Sequence, residues 1–188
     1  MVGSAYFLNT DGKPQGCHIT YRGNIVVENS LENSIHEGRR FFTKDWVEID
    51  AEGSFNMLLV TGQSSNSDYS LHLDLEVESD VENNLEAFLM PTVTDNGTEI
   101  EVHNHNGNYL TALFNSQIYK NATISDNGTS VLRTKLLSGK KLSATRYSTG
   151  ELVIAGNRIL LLKIDNVDTA GFICWQAGLS QIYTGEFI

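Results

Sequence analysis

The 188-residue chain has few cysteines and prolines and no long apolar run. It has two cysteines and two prolines. Cys17 and Cys174 lie too far apart in sequence for a metal or redox motif, and a disulfide between them stays open at this level. Cys174 lies in an apolar run, residues 171–175, which predicts a buried thiol.

No run approaches the ~18 apolar residues that a membrane-spanning helix needs. The first ten residues lack the features of a signal peptide, so we expect synthesis in a cytoplasm.

Basic residues are also scarce, and the net charge is −10. Residues 28–101 hold 17 Asp and Glu against Arg39, Arg40 and Lys44. An acidic surface repels phosphate groups, so we expect neither nucleic acid nor an anionic membrane among the partners. The nucleophile elbow and the phosphate-binding glycine loop are absent from the sequence.

What the chain does have is β patterning. Leu71, Leu73, Leu75 and Val77 alternate with polar residues, which predicts a strand with one buried face. Residues 54–61 are apolar at both parities, which predicts a strand covered on both faces. We expect further strands at residues 85–90, 98–105, 110–119, 131–137, 150–154, 159–164 and 171–175. Asn-Gly or Ser-Gly pairs at 96–97, 106–107, 127–128 and 138–139 predict hairpin turns between them.

Two segments depart from this pattern. Residues 1–34 are rich in Asn, Gly and Ser, with a short predicted strand at Ile25–Val27, and we interpret them as an extended amino-terminal arm. Residues 34–46 are a helix candidate, because Ser34 and Glu37 have the spacing of a capping box, and a single turn is the alternative because Gly38 disfavours a longer helix. The domain that follows, residues 35–188, is predicted to be all-β, an antiparallel β-sandwich of jelly-roll type.

The most informative tract for function is Gly97 to Gly107. His103 and His105 lie two apart on a predicted strand, so their side chains should share a face, as in the His-x-His half of a cupin metal site. The glutamate, the second proline-containing motif and the last histidine of that pattern are missing here. We therefore expect no metal, no cofactor and no catalytic residue. A cupin-like metalloenzyme is the least favoured alternative.

Several short motifs between residues 34 and 180 resemble the capsid decoration, or cement, proteins of tailed bacteriophages. They are Ile-His-Glu-Gly-Arg at Ile35–Arg39, the Leu-x-Leu-x-Leu strand at 71–75, Pro-Thr-Val at 91–93, Gly-Thr-Glu-Ile at 97–100, the Asn-x-Asn of Asn104 and Asn106, Gly-Asn-Arg at 156–158 and the late Trp175. The arginine that often follows the Asn-x-Asn of that family is replaced by Gly107.

The resemblance implies a non-enzymatic β-sandwich that binds the outer surface of a capsid and bridges its capsomers. The implied partners are the major capsid protein and further copies of the chain, commonly in a trimer, and the implied location is the virion. We expect the contacts in the arm and at His36, Glu37, Arg39, His103 and Asn104. The alternative is a carbohydrate-binding jelly-roll module of a phage tail, for which Tyr109, Tyr119 and Tyr147 would supply the aromatic surface.

Overall fold

A computed structural model describes the backbone of residues 4–8, 14–19, 25–27, 35, 37–62, 69–108, 114–136 and 145–183. The side chains of residues 4–8, 14–19, 25–27, 69, 145–151, 182 and 183 lie outside the description. The strands are β1 (Ser4–Leu8), β2 (Pro14–Ile19), β3 (Ile25–Val27), β4 (Arg40–Ile49), β5 (Ser54–Val60), β6 (Tyr69–Ser79), β7 (Asn83–Leu89), β8 (Thr92–Asp95), β9 (Thr98–Glu99), β10 (His103–Asn104), β11 (Gln117–Lys120), β12 (Thr123–Asp126), β13 (Thr129–Leu136), β14 (Thr145–Ala155), β15 (Ile159–Asn166) and β16 (Gly171–Tyr183).

The chain divides into two units, Met1–Glu37 and Gly38–Ile188. In the first unit, β1, β2 and β3 form an antiparallel three-stranded sheet. The short strand predicted at Ile25–Val27 is β3, and it pairs with the second half of β2. The predicted arm therefore contains two strands beyond the one that its apolar residues indicated.

The second unit contains two large antiparallel sheets with the strand orders β10-β4-β16-β6-β14 and β13-β7-β15-β5-β11-β9. Its eight longer strands pair first with last, second with seventh, third with sixth and fourth with fifth, as β4·β16, β5·β15, β6·β14 and β7·β13. Wrapping one long hairpin over itself produces this order, which is that of a jelly roll. The prediction of an all-β antiparallel fold is confirmed.

One hydrophobic cluster fills the space between the two sheets. It combines Leu71, Leu73 and Leu75 of β6 with inward side chains of β7 and β15 from the opposite sheet, such as Leu85 and Leu162. The rings of Phe55 in β5 and Trp175 in β16 stack across the layer with centroids 6.5 Å apart. The strict alternation predicted for residues 71–77 is confirmed, because each of its apolar residues is buried and each polar neighbour is half-buried.

A second, smaller cluster lies on the outward face of the six-stranded sheet. Leu58, Phe88 and Leu161 point outward there, and Val93 of β8 and Ile124 of β12 pack over them. Asn56 fastens this cover, since its amide donates to the carbonyl of Ala122 at 3.0 Å and accepts from the Ala122 N–H at 2.8 Å. This second layer explains why residues 54–61 are apolar at both parities, as predicted for a strand covered on both faces.

Three local predictions were wrong. Residues 40–49 form the strand β4, so the helix predicted over 34–46 is absent from that part, where pairing with β16 outweighs the local preference for helix. Residues 37 and 38 form a turn, which agrees with the alternative of a single turn. Residues 98–105 form two short strands in different sheets, because Val102 turns into the core. The pairs at 96–97 and 127–128 do not close hairpins, because the strands that flank them belong to different sheets.

These two turns have the same local geometry. In each turn the glycine alone has a positive φ, +82° at Gly97 and +81° at Gly128. An aspartate two residues earlier accepts the glycine N–H, Asp95 at 2.9 Å and Asp126 at 2.7 Å. A type I′ hairpin turn would require a positive φ at both central residues, and a type II′ turn would require it at the first. The turn at 138–139 lies outside the described residues.

The burial of Leu73 in the core predicts that shortening its side chain lowers the stability of the fold. Replacing this fully buried side chain with alanine leaves a cavity between the sheets, and the free energy of unfolding should fall by about 2–5 kcal/mol. Val153→Ala is the matched control, because Val153 is 60% exposed and its loss should change stability by less than about 0.5 kcal/mol. Urea unfolding followed by tryptophan fluorescence measures both. Equal effects in the two variants would contradict the assigned core.

Candidate functional site

The outward face of the five-stranded sheet differs from that of its partner sheet. We call this surface the open face and define it by the outward side chains of β4, β6, β16 and the end of β14, together with His103 and His105. Among the described residues of the unit Gly38–Ile188, no strand packs over it as β8 and β12 pack over the other sheet. Three of the exposed large hydrophobic side chains lie on it: Trp46, Val153 and Phe172.

The strand pairing fixes how these side chains are arranged. In antiparallel pairs, residues directly opposite each other point to the same side of the sheet. Trp46, Cys174 and Glu78 form one row across β4, β16 and β6, and Glu48 lies opposite Phe172 in the next row. The ring centroids of Trp46 and Phe172 are 6.1 Å apart, so these side chains form one aromatic patch. Trp46 is 63% exposed and Phe172 is 49% exposed.

Cys174 lies in the middle of this row, and the prediction of a buried thiol was wrong. Cys174 is a free, exposed cysteine. Residues 171–175 belong to the alternating strand β16, so Ile173 and Trp175 enter the core while Phe172 and Cys174 point outward. The apolar neighbours of Cys174 suggested a buried thiol, although a sheet with one uncovered face buries only every second residue of a strand.

The two histidines of the His-x-His tract share one neighbour. The imidazole of His103 lies 5.5 Å from the ring of Phe42, and the imidazole of His105 lies 4.8 Å from it, measured between centroids. Their expected projection to one side of the chain is therefore observed, against an aromatic ring. In the described part of the chain, no three His, Cys, Asp or Glu side chains come together as metal ligands.

Asn104 holds the start of β4 in place. Its amide donates to the carbonyl of Gly38 at 2.7 Å, and its side-chain oxygen accepts the N–H of Asn106 at 2.8 Å. Beside it, the N–H of His105 donates to the carbonyl of Arg40 at 2.9 Å. The predicted contact residue Asn104 thus has both ends of its amide engaged within the fold.

The other predicted contact residues have different positions. Arg39 is half-buried, and its carbonyl accepts the N–H of Gln181 at 3.0 Å. Glu37 is exposed, and His36 lies outside the described residues. His103 is exposed, with its Nδ1 atom 3.8 Å from a Glu101 carboxylate oxygen. The structure therefore places Arg39, His103 and Asn104 around the first residues of β4, but it does not test them as contacts.

The residues that sequence reasoning missed are Phe42, Trp46 and Phe172. Trp46 lies inside the segment 34–46 that was predicted to be helical, and Phe172 lies inside the apolar run of residues 171–175, for which a buried thiol was predicted. With β4 and β16 known as strands, alternation alone places all three on the outward face. Of the tyrosines proposed for carbohydrate binding, Tyr119 packs against the second hydrophobic cluster, Tyr109 is outside the described residues, and the side chain of Tyr147 is not described.

A cleft lies beside β9 and β11. Its volume is about 520 Å³, and its lining includes Glu99, Glu101, Val102 and Phe114. The two carboxylates make it acidic, and it opens where the chain crosses from one sheet to the other. No helix in the described residues is long and apolar enough to cross a membrane.

Comparison with known proteins provides no family assignment. No protein-family model matches the chain, and no curated protein matches its sequence. Among solved structures, the chain is similar to the structure of infectious bursal disease virus Gx strain, with 14% identity and a TM-score of 0.16 over 95% of this chain and 49% of the other. For the VP2 subviral particle of the same virus, the identity is 11% and the TM-score 0.14, over 98% and 48%.

A third match is VP1 of Trichodysplasia spinulosa-associated polyomavirus in complex with GM1 oligosaccharide, with 8% identity and a TM-score of 0.13 over 76% of this chain and 78% of the other. The chain spans about half the length of the two matched bursal disease virus chains. At TM-scores this low, the likenesses carry no conclusion about fold or function.

His105 is expected to make the stability of the fold depend on pH. Burial and the nearby positive charge of Arg40 lower the pKa of His105 below its ordinary value. The unfolded chain then binds a proton more readily than the folded one, so His105 should destabilise the fold as pH falls below ~6.5, the ordinary value. His105→Gln should flatten the dependence of the melting temperature on pH between ~7 and ~5. An unchanged dependence would contradict this assignment.

Asn104 is expected to be structural. Asn104→Asp keeps the oxygen that accepts the Asn106 N–H but removes the donor to the Gly38 carbonyl, so the free energy of unfolding should fall by about 1–3 kcal/mol. Asn108→Asp is the control, because Asn108 is exposed and only its backbone N–H has an assigned hydrogen bond. Chemical unfolding compares the two, and equal stability of N104D and N108D would show that the Gly38 contact contributes little.

Proposed function

We propose that this chain is a non-enzymatic capsid decoration protein of a tailed bacteriophage, which binds the outer surface of the head and bridges neighbouring capsomers. The observation that carries the proposal is the open face. One sheet of the sandwich has its outward surface covered by β8 and β12, whereas the other presents Trp46, Phe172 and Val153. Aromatic side chains at an exposed surface are typical of contact sites, where they bury a large area with little loss of side-chain entropy.

The physical role follows from mass action. A protein that binds only the assembled head stabilises it by RT ln(1 + [L]/Kd) per site, or about 2.7 kcal/mol at a free concentration of 100 Kd. The short motifs between Ile35 and Trp175 support this function, because they resemble those of the decoration proteins. On this proposal, the partner is the major capsid protein, and the protein is made in the host cytoplasm and acts on the virion surface.

The acidic charge supports the same role. Glu48, Glu76 and Glu78 occupy outward positions on β4 and β6, beside the aromatic patch. Carboxylates around an apolar centre keep an exposed aromatic patch soluble and disfavour association with nucleic acid. They also favour a docking site of opposite charge on the capsid, which would increase the rate of association at low salt.

The test is an add-back experiment with phage heads that lack this protein. The purified chain should co-sediment with the heads and raise the temperature at which they release DNA. Trp46→Ser with Phe172→Ser should reduce binding at least tenfold. Val131→Ser with Val167→Ser is the matched control, because these two exposed valines lie away from the open face. Absence of the wild-type chain from heads at saturating concentration would overturn the proposal.

The carbohydrate-binding alternative depends on the same aromatic patch. Trp46 beside Phe172 offers an exposed aromatic surface, and the amide of Gln176 donates to the Glu76 carboxylate two strand positions along. A glycan array with the wild-type chain and the W46S/F172S variant separates the two functions. Glycan binding that depends on Trp46, without binding to heads, would favour the alternative.

A further inference from the structure

In the part of the chain that the structure describes, the outer edge of β4 has no paired strand along most of its length. β16 pairs with β4 on one side from Arg40 to Ile49, whereas β10 pairs on the other side only at Phe41 and Phe42. From Thr43 to Ile49, no strand of the described residues pairs with β4 on that second side. An unpaired edge of this kind is a template for an added strand.

The hydrogen bonds show which residues present their backbone groups at this edge. The carbonyl of Arg39 accepts from Gln181 of β16, whereas the carbonyl of Arg40 accepts from His105 on the opposite side. Backbone groups alternate sides along a strand, so Lys44, Trp46 and Glu48 direct their N–H and C=O toward the free edge. The N–H of Trp46 agrees with this, since it donates 2.9 Å to the Asp45 side chain and not to β16.

The sequence at this edge is complementary to itself. We propose that two copies of the chain join through residues 44–48 of β4, paired antiparallel about a two-fold axis at Trp46. In this register, Lys44 of each copy lies opposite Glu48 of the other, and the two Trp46 residues face each other. The pairs 44–48, 46–46 and 48–44 all join residues whose backbone groups face the edge, so each pair exchanges two hydrogen bonds. The two five-stranded sheets become one continuous sheet.

The side chains favour a second copy as the occupant of the edge. Lys44, Trp46 and Glu48 are all exposed and all on the open face. Opposite charges directly across an antiparallel pair stabilise it, and here the two-fold axis generates the ion pair twice. Within one copy, Lys44 and Glu48 are four strand residues apart, about 13 Å, so they do not pair with each other. A shift of one residue would place backbone groups that face β16 against those that face the edge.

Trp46 is the residue whose surroundings change most in the proposed contact. Its indole already lies 6.1 Å from the Phe172 ring, and the axis brings a second Trp46–Phe172 pair alongside. The Asp45 carboxylate gives up its bond to the Trp46 N–H but keeps Lys120, whose Nζ lies 2.5 Å from its other oxygen. The dimer therefore replaces a side-chain acceptor at the edge with a backbone ladder.

Charge reversal tests the pairing and its register. By light scattering after gel filtration, the wild-type chain should have twice the mass of 20.8 kDa. Lys44→Glu places two Glu–Glu contacts across the axis, and Glu48→Lys places two Lys–Lys contacts, so each variant alone should weaken dimerisation at least tenfold. Mixing the two should produce a heterodimer, and the double variant K44E/E48K should dimerise like the wild type. A Lys135→Glu variant, altered on β13, is the control for net charge and should remain dimeric.

The tryptophans report the contact independently of mass. Trp46 is exposed and Trp175 is 2% exposed, so dilution of a dimer should shift the emission of Trp46 to longer wavelength and leave that of Trp175 unchanged. Trp46→Phe isolates the Trp175 signal, and when it is combined with K44E or E48K an unchanged Trp175 emission shows that those variants are folded. The proposal would be overturned if the wild-type chain were a monomer at all concentrations or a trimer. It would also be overturned if K44E and E48K both dimerised as tightly as the wild type. These experiments need no capsid, so their outcome is separate from that of the decoration function.

Discussion

The packing of the inward side chains of β6 against the opposite sheet is the interaction on which the rest of the structure depends. Leu71, Leu73, Leu75 and Val77 occupy every second position of a strand that lies between β16 and β14, and all four are buried. Because side chains alternate along a strand, burying one face of β6 commits its other face to the outside. Residues opposite each other in paired strands point to the same side of the sheet. The outward positions therefore continue from β6 across β16 to β4, and they include Trp46, Phe172 and Cys174.

The outward faces of the two sheets are covered to different extents. On the six-stranded sheet, Leu58, Phe88 and Leu161 point away from the main core and are buried by Val93 and Ile124 from a separate strand pair. Asn56 ties that pair down through two hydrogen bonds to Ala122. On the five-stranded sheet, large side chains remain exposed at comparable positions. The proposed contact with a capsid rests on this difference in coverage between the two sheets.

Prediction from the sequence succeeded where one rule governs a residue. Alternation at 71–77 and the doubly apolar run at 54–61 depend only on how many faces of a strand are covered, and both were recognised. Prediction failed where distant pairing decides. A capping box at Ser34 and Glu37 indicated a helix, but the ten residues of β4 pair with β16, more than a hundred positions later in the chain. Local propensity is worth tenths of a kcal/mol per residue and does not outweigh such a ladder.

The His-x-His tract shows the same division. Its sequence determined that His103 and His105 share a side and that the further ligands of a cupin pattern are missing. Only the tertiary structure decided that the tract crosses between sheets at Val102, that both imidazoles lie against Phe42, and that Asn104 holds Gly38. The sequence by itself determined an acidic, antiparallel β protein, because composition and period two are local properties. Which face stays open and which edge stays free depends on strand order, and strand order is set by contacts between residues that the sequence keeps far apart.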